Sequence, residues 1–171
     1  MQASAGSETK SVKNTTTMEL KADRELVISR TFDGPARIVF DAWTQPELVK
    51  RWWAPKSHCV ELIGCDADVR VGGAYRYVMK QEGQEPFAFS GKYTEITPHT
   101  RLVYTQIFEP MAHAGAVIVT VTFEERAGKT HLVSHELYPS AEAREAALGA
   151  GMEHGMRETM DQLDELVASL A

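Results

Sequence analysis

Apolar and polar residues alternate along most of the middle of the chain, which is the pattern of half-buried β-strands. The first alternating run is Leu26–Phe32, and turn residues such as Gly72-Gly73 separate the later runs. Those later runs are Ser57–Asp66, Ala74–Lys80, Phe87–Glu95, Arg101–Phe108, Ala116–Glu125 and Thr130–Tyr138. Because no helical pattern stands between them, the sequence predicts an antiparallel sheet of about seven strands.

Helical spacing of apolar residues appears on both sides of this region. After the first strand, Ala36–Trp43 and a segment from Pro46 to about Trp53 predict two short helices. From Ser140 onward an acidic stretch predicts a long C-terminal helix, and its apolar stripe is Met152, Met156, Leu163, Leu166 and Leu170. Gly149, Gly151 and Gly155 predict a break or a close backbone approach in its early part. A curved sheet wrapped around this helix would give an α+β helix-grip fold.

Length and composition fit one globular domain, with 171 residues of which 43% are hydrophobic and 25% charged. Residues 1–23 predict a flexible tail and residues 24–171 the folded domain, and Met18 is a candidate alternative start. No apolar run approaches the roughly 18–20 residues of a membrane span. The N-terminus also lacks the apolar segment of a secretion signal, so we expect a cytoplasmic protein.

Charge and cysteine content exclude two further classes. A net charge of −6 argues against a nucleic-acid-binding protein, which usually carries a basic face. The two cysteines, Cys59 and Cys65, fall within one predicted strand, where an extended chain would separate them by about 20 Å. A disulfide between them is therefore not expected, and we predict reduced thiols.

Several blocks of sequence resemble, in the same order, those of one family. The blocks are Leu48–Pro55, Asp68–Tyr77, Gly91–Ile96 with Arg101–Thr105, and Gly151–Met156 followed by Leu163. From about Leu26 to Leu170 the chain is similar to the family named after the activator of a heat-shock chaperone ATPase. That family belongs to the START-like (SRPBCC) superfamily, so the resemblance implies a helix-grip fold with a cavity between sheet and C-terminal helix. The superfamily includes lipid carriers, polyketide cyclases and oxygenase domains, so fold alone does not select a function.

Aromatic and methionine side chains are the candidates to line such a cavity. Strand alternation places Phe87, Phe89 and Tyr93 on the inward face, and methionines on the helix suit an irregular apolar surface. The full candidate set is Trp52, Trp53, Tyr75, Tyr77, Phe87, Phe89, Tyr93, Tyr104, Phe108, Met111, His113, Met152 and Met156. The alternative is that these side chains simply fill the core.

Signals for metal binding or catalysis are weaker. His131 and His135 share a strand face and His58 adjoins Cys59, but no HExxH or paired CxxC motif completes a ligand set, so no metal and no cofactor is expected. No GxSxG elbow predicts a nucleophile. A proton-transfer pair could still form in a cavity from Glu109, His113, His135 and Glu136.

Three functions follow as hypotheses. The favoured one is a non-catalytic domain that binds a small apolar or aromatic ligand in the cavity, which predicts an open apolar pocket. The second is a protein-interaction module, for example a chaperone partner, which predicts a filled interior and an exposed apolar patch. The third is a cyclase- or hydrolase-like enzyme, which predicts two facing titratable groups with perturbed pKa values. A monomer and a homodimer are both compatible with the sequence.

Overall fold

Residues 14–171 are described by a computed structural model of the chain; residues 1–13, the first part of the predicted tail, lie outside the described residues. The described part forms one antiparallel sheet with strand order β1-β2-β8-β7-β6-β5-β4-β3. Its strands are β1 (Thr17–Lys21), β2 (Glu25–Phe32), β3 (Val60–Ala67), β4 (Ala74–Gln81), β5 (Phe87–Thr97), β6 (Arg101–Phe108), β7 (Val117–Arg126) and β8 (Lys129–Leu137). The predicted antiparallel meander is confirmed, with one strand more than expected.

Four α-helices and two short 3-10 turns complete the described residues. The helices are α1 (Ala36–Thr44), α2 (Pro46–Val49), α3 (Ala141–Gly149) and α4 (Met152–Leu170), and the 3-10 turns are Lys56–His58 and Glu109–Ala114. The Ser140 hydroxyl caps α3 by accepting a 3.0 Å hydrogen bond from the backbone N–H of Ala143. Gly151, at a φ of 81°, separates α3 from α4, which is the break that the glycines predict.

The additional strand, β1, lies where the sequence predicts a flexible tail, so that prediction is wrong for Thr17–Lys21. β1 pairs antiparallel with β2, for example with Met18 opposite Ile28. Met18 packs partly against the core, whereas most other residues of β1 are exposed. An edge strand with so little buried surface has no clear alternation in its sequence, which is why the pattern misses it.

The two cysteines do not share a strand as predicted. Cys59 follows the first 3-10 turn in the left-handed backbone region, with a φ of 53°, and β3 begins only at Val60. Cys59 is exposed, and both cysteines are free thiols. Burial of Cys65 on β3 raises the pKa of its thiol to about 11, so this thiol stays protonated at neutral pH.

The core lies between one face of the sheet and the helices α1 and α4. On β2 every second residue is buried, and on α4 the buried side chains include Leu163 and Val167. One of the buried β2 positions is Arg30, whose Nη1 donates a 2.5 Å hydrogen bond to Asp161 of α4. Its Nη2 lies 3.1 Å from the carboxylate of Asp164, so α4 is tied to the sheet by charge as well as by apolar packing.

Candidate functional site

Tyrosine rings fill the interior where the sequence predicts a cavity. Tyr75 lies at the centre of this cluster, with ring centroids 5.0 Å from Tyr77, 5.5 Å from Tyr93 and 5.6 Å from Tyr104. The remaining void measures about 10 Å³, which is close to the space that one water molecule requires. This part of the molecule is core and has no room for an organic ligand.

The same tyrosines are unsuited to acid–base chemistry. Burial raises the pKa of Tyr75, Tyr77, Tyr93 and Tyr104 above the ordinary value for a phenol. The hydroxyl of Tyr75 also donates a 2.7 Å hydrogen bond to the backbone carbonyl of Thr105. These phenols therefore stay neutral and structural at physiological pH.

A larger space lies beside α3. This pocket, called the α3 pocket below, has a volume of about 340 Å³, which falls within the usual range for small-molecule sites. Strands β5 to β8, the second 3-10 turn and the helices α3 and α4 contribute residues to it. Its lining consists of Phe87, Phe89, Gln106, Phe108, Met111, Ala114, Gly115, Val117, Glu136, Tyr138, Pro139, Ala143, Ala146, Ala147, Ala150 and Met152.

Aromatic rings form one wall of the α3 pocket and alanines form another. Phe87 and Phe89 share a face of β5, and Phe89 pairs with Phe108 of β6 at a ring-centroid distance of 5.0 Å. On the opposite side, α3 presents alanines spaced three and four residues apart, which share a helix face. Because an alanine side chain is a single methyl group, this face leaves the volume that larger residues would fill.

Glu136 and Tyr138 supply a polar end to the pocket. The phenol of Tyr138 donates a 3.0 Å hydrogen bond to Oε2 of Glu136 and lies 3.5 Å from Sδ of Met152. Burial among surrounding atoms raises the pKa of Glu136, and the hydrogen bond from Tyr138 opposes part of this rise. The carboxylate keeps partial exposure because it faces the space of the pocket.

The structure distributes the predicted ligand-contacting residues over three places. Those that line the α3 pocket are Phe87, Phe89, Phe108, Met111 and Met152. Those that surround the small interior void are Trp53, Tyr75, Tyr77, Tyr93 and Tyr104. Neither space is lined by Trp52, His113 or Met156.

Local contacts explain the residues that lie elsewhere. The indole of Trp52 is buried against Trp43 and donates a 2.8 Å hydrogen bond to the carbonyl of Ala42, so it is a core residue. His113 is exposed on the second 3-10 turn, and Met156 packs at the edge of the core. Trp53 connects the two regions, because its ring lies 5.0 Å from that of Tyr77 and 5.1 Å from that of Phe89.

The predicted candidates for proton transfer do not come together. Of these four, Glu136 alone lines the α3 pocket. His135 precedes it on β8, where adjacent side chains point to opposite faces, and its Nε2 lies 2.7 Å from Oε1 of Glu25. The guanidinium of Arg76 forms two 2.9 Å hydrogen bonds with Glu109 and holds the pKa of that carboxyl below its usual value.

Several lining residues were absent from the predicted set. Tyr138 and Gln106 carry polar groups into the pocket, and the alanines of α3 shape it. A signal for the alanines exists in the sequence, because Ala143, Ala147 and Ala150 recur at helical spacing. The glycines predict a break before α4, but the sequence could not indicate that α3 then borders the same space as the phenylalanines of β5 and β6.

A group of possible metal ligands lies outside the pocket. His58, His154 and Glu158 each bring a ligand atom to within 4.8 Å of the others. His58 lies far in the sequence from His154 and Glu158, so no local sequence motif contains all three residues.

Comparison with known proteins identifies the family. Residues 33–168 match the family described as Activator of Hsp90 ATPase homolog 1-like protein, which covers most of the chain and the whole α3 pocket. The chain belongs to this family. The resemblance of its sequence blocks to the activator-homologue family is thereby confirmed, whereas family membership by itself names no ligand or reaction.

Solved structures show the same architecture. A protein from Rhodobacter sphaeroides superposes with a TM-score of 0.82 at 22% identity, covering 90% of this chain and 99% of that one. A Mycobacterium smegmatis protein superposes with a TM-score of 0.78 at 24% identity, covering 90% of this chain and 96% of that one. A Nitrosomonas europaea protein gives 0.77 at 24% identity, covering 88% and 97%. At these identities the comparisons establish the fold, and the predicted START-like helix-grip fold of the activator-homologue family is confirmed.

Two further findings bear on function. No curated protein matches the chain. Between residues 14 and 171, no helix has both the length and the apolar character that crossing a membrane would require.

Proposed function

We propose that this member of the activator-homologue family binds a small apolar or aromatic ligand in the α3 pocket, without catalysing its conversion. The observation that carries the proposal is an apolar pocket of about 340 Å³ with one carboxylate, that of Glu136, at its polar end. A concave, mostly apolar site with a few polar groups that orient the ligand is the usual form of a small-molecule site.

The apolar walls favour a flat hydrocarbon body. Phe89 and Phe108 present their rings to the space, and an aromatic ligand can stack on or meet the edge of such rings. Met111 and Met152 lie at the sides, where flexible thioethers adapt to ligands of different shape. Burial of the ligand in this space is worth about 25 cal/mol for each Å² of apolar surface removed from water.

The polar end favours a ligand with a hydrogen-bond donor. An ionised carboxylate accepts several hydrogen bonds, and Tyr138 supplies one to Glu136 from within the chain. A ligand amine or hydroxyl would fill a further acceptor position, and a charged amine would bind more strongly because its hydrogen bond is charge-assisted. A ligand carboxylate would meet repulsion from Glu136.

The titratable groups of the pocket favour binding over catalysis. Among the described lining residues, Glu136 and Tyr138 are the ones that titrate, and burial raises the pKa of Tyr138. A mechanism with a separate general acid and general base needs two groups that exchange protons with a substrate near neutral pH. A phenol whose pKa lies above its ordinary value does not supply the second group.

Titration calorimetry with matched naphthalene compounds tests the proposal. Naphthylmethylamine, naphthylmethanol and naphthoate share a ring system and differ in the polar group that would face Glu136. We expect the amine to bind most tightly, the alcohol more weakly and the carboxylate weakest. A preference for naphthoate, or the absence of binding by all three, would contradict the proposal.

A further inference from the structure

Two histidines and a glutamate meet where the first 3-10 turn lies against α4. His58 belongs to the 3-10 turn, and His154 and Glu158 lie four residues apart on one face of α4. Nδ1 of His58 is 3.2 Å from Oε2 of Glu158, and the two imidazole centroids are 5.2 Å apart. One nitrogen from each histidine and one carboxylate oxygen all lie within 4.8 Å of one another.

The glutamate of this cluster is already oriented by its neighbours. The backbone N–H of Ser57 donates a 2.7 Å hydrogen bond to Oε1 of Glu158, and the Ser57 hydroxyl donates a 2.6 Å bond to Oε2. One turn further along α4, Gln162 accepts a 3.0 Å hydrogen bond from the N–H of Lys56. Supporting hydrogen bonds of this kind orient the carboxylate ligands of metal sites.

We propose that His58, His154 and Glu158 bind a divalent transition-metal ion, with Zn²⁺ as the best match. Two imidazoles and one carboxylate are a ligand set that zinc uses with water in a fourth position. Imidazole ligands favour zinc, copper and nickel, whereas calcium and magnesium prefer all-oxygen sites. Both histidines are exposed, so solvent can supply the fourth ligand.

The present separations require a modest contraction around the ion. Zinc–nitrogen and zinc–oxygen bonds of about 2.0–2.2 Å place tetrahedral ligand atoms about 3.3 Å apart. The contact of His58 with Glu158 already has this length, at 3.2 Å. Because His154 is exposed, we expect rotation of its side chain to supply the third ligand. A bound ion would cross-link the 3-10 turn to α4 and thereby stabilise the folded chain.

Calorimetric titration of the full chain with Zn²⁺ tests the site. We expect one ion per chain in wild type, and an affinity reduced about tenfold or more in H58A and in H154A. The matched control is H131A, which removes an exposed histidine of β8 outside the cluster and should bind as wild type does. Equal loss in H131A, or wild-type affinity in H58A and H154A, would overturn the proposal.

Two further measurements separate the cluster from the neighbouring thiol and from misfolding. When Co²⁺ replaces Zn²⁺, the bound ion should give a ligand-field spectrum without a thiolate charge-transfer band, and the C59S substitution should leave this spectrum unchanged. A thiolate band that disappears in C59S would assign the ion to Cys59 instead. E158Q keeps one oxygen that can accept from the backbone N–H of Ser57 and replaces the other with an amide, so its melting temperature without metal should fall only slightly, whereas its zinc affinity should fall about tenfold or more. Unchanged zinc affinity in a folded E158Q would remove Glu158 from the site.

Discussion

The phenol of Tyr138 donates a 3.0 Å hydrogen bond to the carboxylate of Glu136 inside the α3 pocket. Glu136 lies near the end of β8 and Tyr138 directly follows that strand, and both side chains line the pocket. Burying a carboxylate costs free energy of folding unless it is fully paired. A carboxylate held at this cost in an otherwise apolar pocket is a feature of binding sites more than of cores.

Replacing Glu136 with glutamine should stabilise the fold near neutral pH. Burial raises the pKa of Glu136 in the folded chain above its ordinary 4.5. At pH values between the unfolded-state and folded-state pKa, the folded chain therefore binds more protons than the unfolded chain. The free energy of unfolding therefore falls as the pH rises through the folded-state pKa. E136Q removes this penalty, and its advantage should vanish below the unfolded pKa. Urea unfolding of both proteins at about pH 7 and about pH 3 measures the difference; an equal difference at both pH values would refute the assignment.

Filling the alanine wall should block the α3 pocket. Ala147 is half-buried on the wall, and a phenylalanine there would occupy the space of the ligand ring. We expect A147F to lose about tenfold or more in affinity for naphthylmethylamine, with little loss of stability, because the added ring enters open space rather than a filled core. The matched control is A141F, because Ala141 lies on the same helix, is exposed and does not line the pocket. Calorimetry compares the two variants, and equal affinities would show that the amine binds elsewhere.

The buried guanidinium of Arg30 should depend on its two partners in α4. Removing both negative charges in D161N/D164N leaves a buried cation without a counter-charge, and we expect a loss of about 3–5 kcal/mol in the free energy of unfolding. The control E124Q disrupts an exposed ion pair with Arg126 and should change little. Urea denaturation measures both variants. A small loss in the double variant would mean that Arg30 is satisfied by other groups, such as the hydroxyl of Thr16.

Gly91 should be intolerant of any side chain. A Cβ at this position would lie 1.8 Å from the carbonyl oxygen of Thr105, far inside contact distance, and the obstacle is backbone that cannot turn away. We expect G91A to lose about 3 kcal/mol or more of stability. Gly149, at the end of α3, has nothing within 4 Å, so G149A should be neutral or stabilising by up to about 1 kcal/mol. Thermal unfolding of the pair checks this contrast.

The sequence predicted the frame of the fold better than the position of the site. Strand alternation identified the strands β2 to β8, because each turns apolar side chains of one face toward a common core. Alternation did not identify β1, because most side chains of this strand are exposed. It also did not predict that Arg30 of β2 is buried. A buried charged residue can be predicted only when its oppositely charged partner is known, and the partner Asp161 lies far from Arg30 in the sequence.

For the candidate site, the sequence likewise predicted which side chains face inward but did not predict which of them line a pocket. Alternation placed both Tyr93 and Phe89 inward, but which inward residues meet other rings and which face a space depends on the packing of whole elements. The tyrosines close on one another and leave about 10 Å³, whereas the small residues of α3 leave about 340 Å³ next to the phenylalanines. The volume of a pocket depends on how side chains from several elements pack together, so the pattern of one strand cannot predict it.

The most direct test of ligand binding in the α3 pocket follows the methionine methyl signals by NMR during titration with naphthylmethylamine. Met111 and Met152 line the pocket, whereas Met79 and Met160 are buried in the core outside it. We predict saturable shifts of the Met111 and Met152 methyl resonances, with those of Met79 and Met160 unmoved and all shifts suppressed in A147F. Unmoved Met111 and Met152 signals, or shifts centred on Met79 and Met160, would contradict the account.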